Sequence, residues 1–147
     1  MSERISERVG IVATIDPDAY TAATYLTDAI DMALIDRVAF VVMAGDLGSS
    51  ATLDFKVVAD TASGGSYATD LTGKAITQLT QAGTDSDKQV IVEVTGDEVI
   101  AQGMRYIKGS MTVAVATSDC GVIALASSLR FQPAKYFDLA SVDEIVA

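Results

Sequence analysis

Asp54 and Glu93 each sit within an alternating apolar run, and two carboxylates on one face at the right separation would suit glycoside hydrolysis. With twenty acidic residues in the chain, such a pair arises by chance in almost any fold, so the plainer reading is a solvated strand face. Asp85-Ser-Asp87 begins like a calcium loop but lacks the next Asp/Asn ligand, the glycine and the distal glutamate, and reads as a turn. Cys120 is the only cysteine. It can form no disulfide within the chain and no cysteine zinc site. Spacing places it in a turn between two strand-like runs, and with Asp119 beside it the thiol lacks the electropositive setting that reactivity needs. Tyr20, Tyr25, Tyr67, Tyr106 and Tyr136 are candidates for a carbohydrate-binding platform, weighed against cross-strand pairing for Tyr106 and loop or tail contacts for the rest.

No histidine is present, which removes Ser-His and Cys-His nucleophile pairs and histidine-ligated metals. There is no P-loop, G-x-S-x-G or dinucleotide fingerprint; Gly64-Gly65 and Gly48-Ser49-Ser50 are loop fragments. The expectation is a protein that is not an enzyme and takes no cofactor or metal.

The elements that would carry these residues are strands. From residue 36 onward, runs of period-two alternation are separated by Gly, Ser, Asp and Thr clusters. Leu53, Phe55 and Val57 alternate with Thr52, Asp54 and Lys56; Val90, Val92 and Val94 alternate with Gln89, Ile91 and Glu93. Arg105 to Ala116, the turn Thr117-Ser-Asp-Cys-Gly and Val122 to Phe131 read as one long β-hairpin, with Gly109 as a bulge or a point of close approach. Arg37 to Ala44 is apolar on both sides and reads as a central strand covered on both faces. Weaker elements lie at Val9 to Thr14, Tyr25 to Ile30 and Ala75 to Leu79. Asp16 to Leu34 is open between strands and a short helix started by Pro17. Thr61-Ala-Ser-Gly-Gly-Ser-Tyr and Gln81-Ala-Gly-Thr-Asp-Ser-Asp are loops by composition.

The fold expected is all-β, an antiparallel β-sandwich or jelly-roll-like barrel with extended terminal arms. Residues 1–135 form one β domain with an N-terminal extension, and 136–147 form a C-terminal arm. A length of 147 residues and 50% hydrophobic content suit one folded domain, and the mean hydropathy of +0.34 is too high for disorder. The longest apolar stretches fall far short of a membrane-spanning helix of about 20 residues, and the mixed-charge start Met1-Ser-Glu-Arg is not a secretory signal. A net charge of −10, with no polybasic cluster, disfavours nucleic acid and anionic lipid as direct partners. It suits solubility or a basic protein surface. The arm carries Tyr136, Phe137, Leu139, Val142 and Ile145, an apolar set that needs a cover. That cover is either a partner surface or the chain's own core.

The run Ile30-Asp-Met-Ala-Leu-Ile-Asp-Arg-Val-Ala-Phe-Val-Val-Met-Ala-Gly-Asp-Leu-Gly-Ser-Ser-Ala-Thr-Leu-Asp-Phe-Lys-Val leads into Gly73-Lys-Ala-Ile-Thr-Gln-Leu and Asp87-Lys-Gln-Val-Ile-Val-Glu-Val, then Met104-Arg-Tyr-Ile-Lys and Phe131-Gln-Pro-Ala. Over about residues 25 to 135 this order resembles a group of small capsid-associated virion proteins of tailed bacteriophages. The resemblance implies a capsid decoration or cement protein on the exterior of the virion, made in the host cytoplasm. Its partner would be the major capsid protein, with a homo-oligomer as a further association. It brings no catalytic motif to carry over. A head-completion or tail component is the alternative within the same class, and a carbohydrate-binding β-sandwich module the alternative outside it.

Overall fold

The computed structural model describes residues 3–147. Ten strands form two antiparallel sheets packed face to face: β1 (Gly10–Tyr20), β2 (Ala23–Leu26), β3 (Ile30–Asp31), β4 (Ile35–Ala44), β5 (Thr52–Asp60), β6 (Thr69–Ala75), β7 (Leu79–Thr80), β8 (Gln89–Thr95), β9 (Tyr106–Ala114) and β10 (Ser118–Leu129). The first sheet has the order β1-β10-β4-β8; the second has β2-β9-β5-β6, with β3 also on β9 and β7 also on β5. The architecture is an all-β sandwich, and the sheets do not close into a barrel. The ambiguous stretch from Asp16 to Leu34 is strand and turn throughout its ordered elements.

Period-two alternation sets the core, because alternate side chains of a strand leave opposite faces. Val38, Phe40, Val42 and Ala44 of β4 point inward, as do Leu53, Phe55, Val57 and Ala59 of β5, and all are buried. Phe40 and Phe55 meet across the sandwich, ring centroids 5.5 Å apart and tilted by 51°, the offset geometry favoured by aromatic quadrupoles. Gly109 of β9 lies under the Phe55 ring. A Cβ there would stand 2.7 Å from Phe55 Cζ, so the glycine is a point of close approach, as its place in the alternation suggested.

The expected hairpin between residues 105 and 131 is corrected by the pairing. β9 lies in the second sheet between β2 or β3 and β5, whereas β10 lies in the first between β1 and β4. Three residues, Val115 to Thr117, carry the chain from one sheet to the other. Ala116 N–H donates to the Ala114 carbonyl, closing a γ-turn around Val115, whose φ is +74°. Gly48 lies against the crossing: a Cβ on it would meet the Thr117 carbonyl at 2.3 Å. Its N–H donates to the hydroxyl of buried Ser118 at 3.1 Å. Cys120 is correspondingly in strand β10 and not in a turn; it is buried, facing the core.

Two short helices, α1 (Ile5–Arg8) before β1 and α2 (Gly96–Ala101) after β8, have no counterpart in the sequence expectations. Thr95 and Glu98 form a capping box, each side chain bonded to the other's backbone N–H. Lys74 of β6 donates to Glu98 at 2.8 Å and to the Glu93 carbonyl at 2.7 Å. It thereby ties the second sheet to the edge strand and helix of the first.

Candidate protein-binding surface

β4 is central, as its composition predicts, but only its inner face is covered. On the outer face Ala39 and Val41 are half-buried and Met43 is 51% exposed. The register lines up Ile123, Val41 and Ile91 across β10, β4 and β8, with Thr14 of β1 beside Ile123. The next row is Leu125, Ala39 and Glu93, and Ile11 flanks Leu125. Ile91 is 63% exposed. Val41 and Ile123 are half-buried and Ile91 and Met43 exposed on this sheet face, and an apolar patch of several neighbouring side chains is a mark of an interaction surface.

At one end the sheet face deepens into an open groove of about 750 Å³ around Met43 and Gly121. Local sequence builds it. A bulge in β1 between Ile15 and Asp18 folds Pro17 over β10; a Cβ on Gly121 would lie 3.0 Å from Pro17 Cα and 3.1 Å from the Ile15 carbonyl. Gly121 pairs with Met43, which in turn pairs with Gln89. The thioether thus stands beside a residue without a side chain. The sequence signal for this is Asp16-Pro17 inside a strand, since proline in a sheet marks an edge or a bulge, but that signal does not define a groove.

The residues expected to form an apolar interface arm are divided between two settings. Ala134 to Phe137 forms a 3-10 turn with Ala134 fully buried, and Phe137 stacks on Phe131 at 6.5 Å and 11°. Asp138 and Leu139 then bond to β1: Ile11 N–H donates to the Asp138 carboxylate at 2.6 Å, and Leu139 N–H donates to the Ile11 carbonyl at 2.9 Å. Phe137, Leu139 and Val142 are half-buried, while Tyr136 is 76% and Ile145 42% exposed. Tyr136 and Ile145 are therefore the members of the set turned outward.

The other chemistry-bearing residues are not brought together. Asp54 leaves the outer face of the second sheet and Glu93 the outer face of the first. Asp85 accepts from Lys88 at 2.7 Å and from Thr80 N–H at 3.0 Å, and these partners, Lys88 first, hold its carboxyl below the usual range. Asp60 is likewise held down, first by Ala62 N–H and then by Tyr67 N–H, as it closes the loop after β5. The Arg105 guanidinium lowers Asp31, and Lys74 lowers Glu98. In each case the partner is one that ties loops or strands together. Burial, followed by Asp119, pushes the Cys120 thiol up to about 11. The tyrosines share no platform: Tyr67 is buried, Tyr20 and Tyr25 pack on each other at 4.5 Å and 57°, and Tyr106 is half-buried.

No family model matches the sequence, and no curated protein matches it. Among solved structures, the chain is similar to that of the infectious bursal disease virus Gx strain, with 13% identity and a TM-score of 0.41 over 91% of this chain and 36% of that one. It is similar to a Bacillus endospore appendage structure, described as a disulfide-linked pilus, with 14% identity and a TM-score of 0.37 over 86% of this chain and 93% of that one. It is also similar to the xylan-binding module CBM15, with 11% identity and a TM-score of 0.39 over 89% and 97%. The chain spans about a third of the length of the viral chains it matches. A virus particle, a pilus and a xylan binder are different roles, so the likeness does not choose among them.

Proposed function

We propose that this chain is a non-enzymatic structural protein of a virion, a decoration or cement protein that docks on the major capsid protein lattice and stabilises the head. The observation that carries a binding role is the uncovered outer face of the β1-β10-β4-β8 sheet, with Ile91, Val41, Ile123 and Met43 in adjacent positions. The exposed Tyr136 and Ile145 of the C-terminal segment extend that role to a neighbouring subunit. Many copies of a modest contact suffice on a lattice, because each capsomer fixes the position of the next site. The net charge of −10 keeps free copies soluble and apart before assembly.

The test is cryo-electron microscopy of shells assembled from the cognate major capsid protein, with and without added protein. Ordered extra density on the shell, lost with Ile91→Glu and weakened with Tyr136→Ser/Ile145→Ser, is the expected result. An intact lattice that acquires no density at saturating protein overturns the reading. Point changes are preferable to truncation after Pro133, which would remove buried Ala134 and the Asp138 bond to β1.

A further inference from the structure

The groove around Met43 differs from the rest of the sheet face in its rim. Its apolar lining is made of Met43, Pro17, Ala19 and Gly121, and Ile123 lines the adjoining hollow beside Met43. Asp18, Asp87 and Asp119 line the groove and Asp16 lines the hollow. The main chains of two of these residues are held on either side of Gly45: its N–H donates to the Asp119 carbonyl at 2.7 Å, and its carbonyl accepts from Asp87 N–H at 3.1 Å. None of the four makes a salt bridge with a Lys or Arg among the described residues, whereas Asp31, Asp70, Asp85 and Glu98 each do.

We infer that this groove binds an extended basic segment of a partner protein, in which one apolar side chain lies against Met43 and flanking Lys or Arg side chains pair with Asp16, Asp18, Asp87 and Asp119. Charge complementarity selects the occupant. Apolar side chains beside four carboxylates that have no ion-pair partner among the described residues attract a cationic chain with an apolar anchor and repel an acidic one, including a second copy of this chain at −10. The inference rests on the reading of the chain as a protein-binding part and adds the chemistry of the partner segment.

The experiment is amide and methionine-methyl NMR of the full chain titrated with the peptide acetyl-Lys-Arg-Leu-Arg-Lys-amide at low salt, beside a peptide with serine for leucine and one with glutamates for the basic residues. Shifts confined to Met43, Gly45, Asp87, Gln89, Asp119 and Gly121 are expected. Affinity should fall about tenfold or more with Asp87→Asn/Asp119→Asn, with the serine peptide, or at 0.5 M salt. Shifts spread over the acidic surface, equal response to the serine peptide, or no response at millimolar peptide would overturn the assignment. So would self-association in sedimentation that the double Asn variant abolishes, since the occupant would then be a second copy. The capsid experiment is scored separately: shells that bind the protein while the peptide fails discard the groove assignment alone, and peptide binding without shell binding discards the virion reading alone.

Discussion

Thr27 and Gly109 hold each other by two backbone-directed bonds: Gly109 N–H donates to the Thr27 hydroxyl at 2.9 Å, and Thr27 N–H donates to the Gly109 carbonyl at 2.9 Å. The pair sits where the β9 edge passes from β2 to β3, and the Phe55 ring closes it from the core side.

Gly109→Ala should therefore be destabilising by about 1–3 kcal/mol, since the added methyl meets the Phe55 ring and Thr27 in a packed interior. Thr27→Val should cost about 1–3 kcal/mol by leaving the Gly109 N–H without its acceptor. Urea unfolding of the two variants against the parent measures both.

Val115 has a β-branched side chain that is 69% exposed and a φ of +74°. Its side chain contributes little burial and its backbone conformation favours glycine. Val115→Gly should raise stability by about 1 kcal/mol, the relief of left-handed strain less the added chain entropy. A lower melting temperature would show that this crossing is not strained.

Arg105 grips Asp31 at two points, Nε to Oδ1 at 2.9 Å and a terminal nitrogen to Oδ2 at 2.8 Å, joining the start of β9 to β3. Because Asp31 titrates below its ordinary 3.8 in the folded chain, its contribution is complete above that value and is lost as pH falls through the lower, folded one. The melting-temperature gap between the parent and Arg105→Gln should be open at pH 6 and should close in strong acid. A gap that stays constant across the acid limb would contradict this linkage.

The Cys120 thiol, buried and pushed up to about 11, should resist iodoacetamide at pH 8 in the native chain and react on unfolding in urea, because the thiolate is the attacking species. Mass spectrometry of the labelled protein reads both states. Rapid native labelling would mean that β10 opens from the sheet.

In β5 and β8 the side that enters the core was legible in the sequence, because Leu53, Phe55 and Val57, or Val92 and Val94, alternate with polar or exposed neighbours. β4 and β10 are apolar on both sides, and there it was not, since Val122, Ala124 and Ala126 turn inward while Ile123 and Leu125 stay on the outer face. Which sheet a strand joins was not. Period two fixes a face but carries no information on partners, so β9 and β10, short-linked and both alternating, had the pattern of a hairpin. Helix α2 was overlooked because it is only six residues long; its signal was the Thr95-x-x-Glu98 capping box. The outer face of β4 contains as many apolar residues as a covered strand does, and sequence alone does not distinguish a cover of the chain's own from one supplied by a partner. The Met43 groove depends on the β1 bulge over Gly121, a contact between residues about a hundred positions apart.

The crossing at Val115 has a further consequence for how the chain acquires its fold. β10 is the last of the described strands, yet it lies inside the first sheet with β1 on one side and β4 on the other. Until residues 118–129 have left the ribosome, β1 has no partner in that sheet, and β4 has only β8. Such distant pairings require loop closure before any contact is gained, which slows folding. The nascent chain therefore exposes its apolar β1 and β4 surfaces late into synthesis, and completion of the C-terminal strand is the step that removes them from the reach of aggregation.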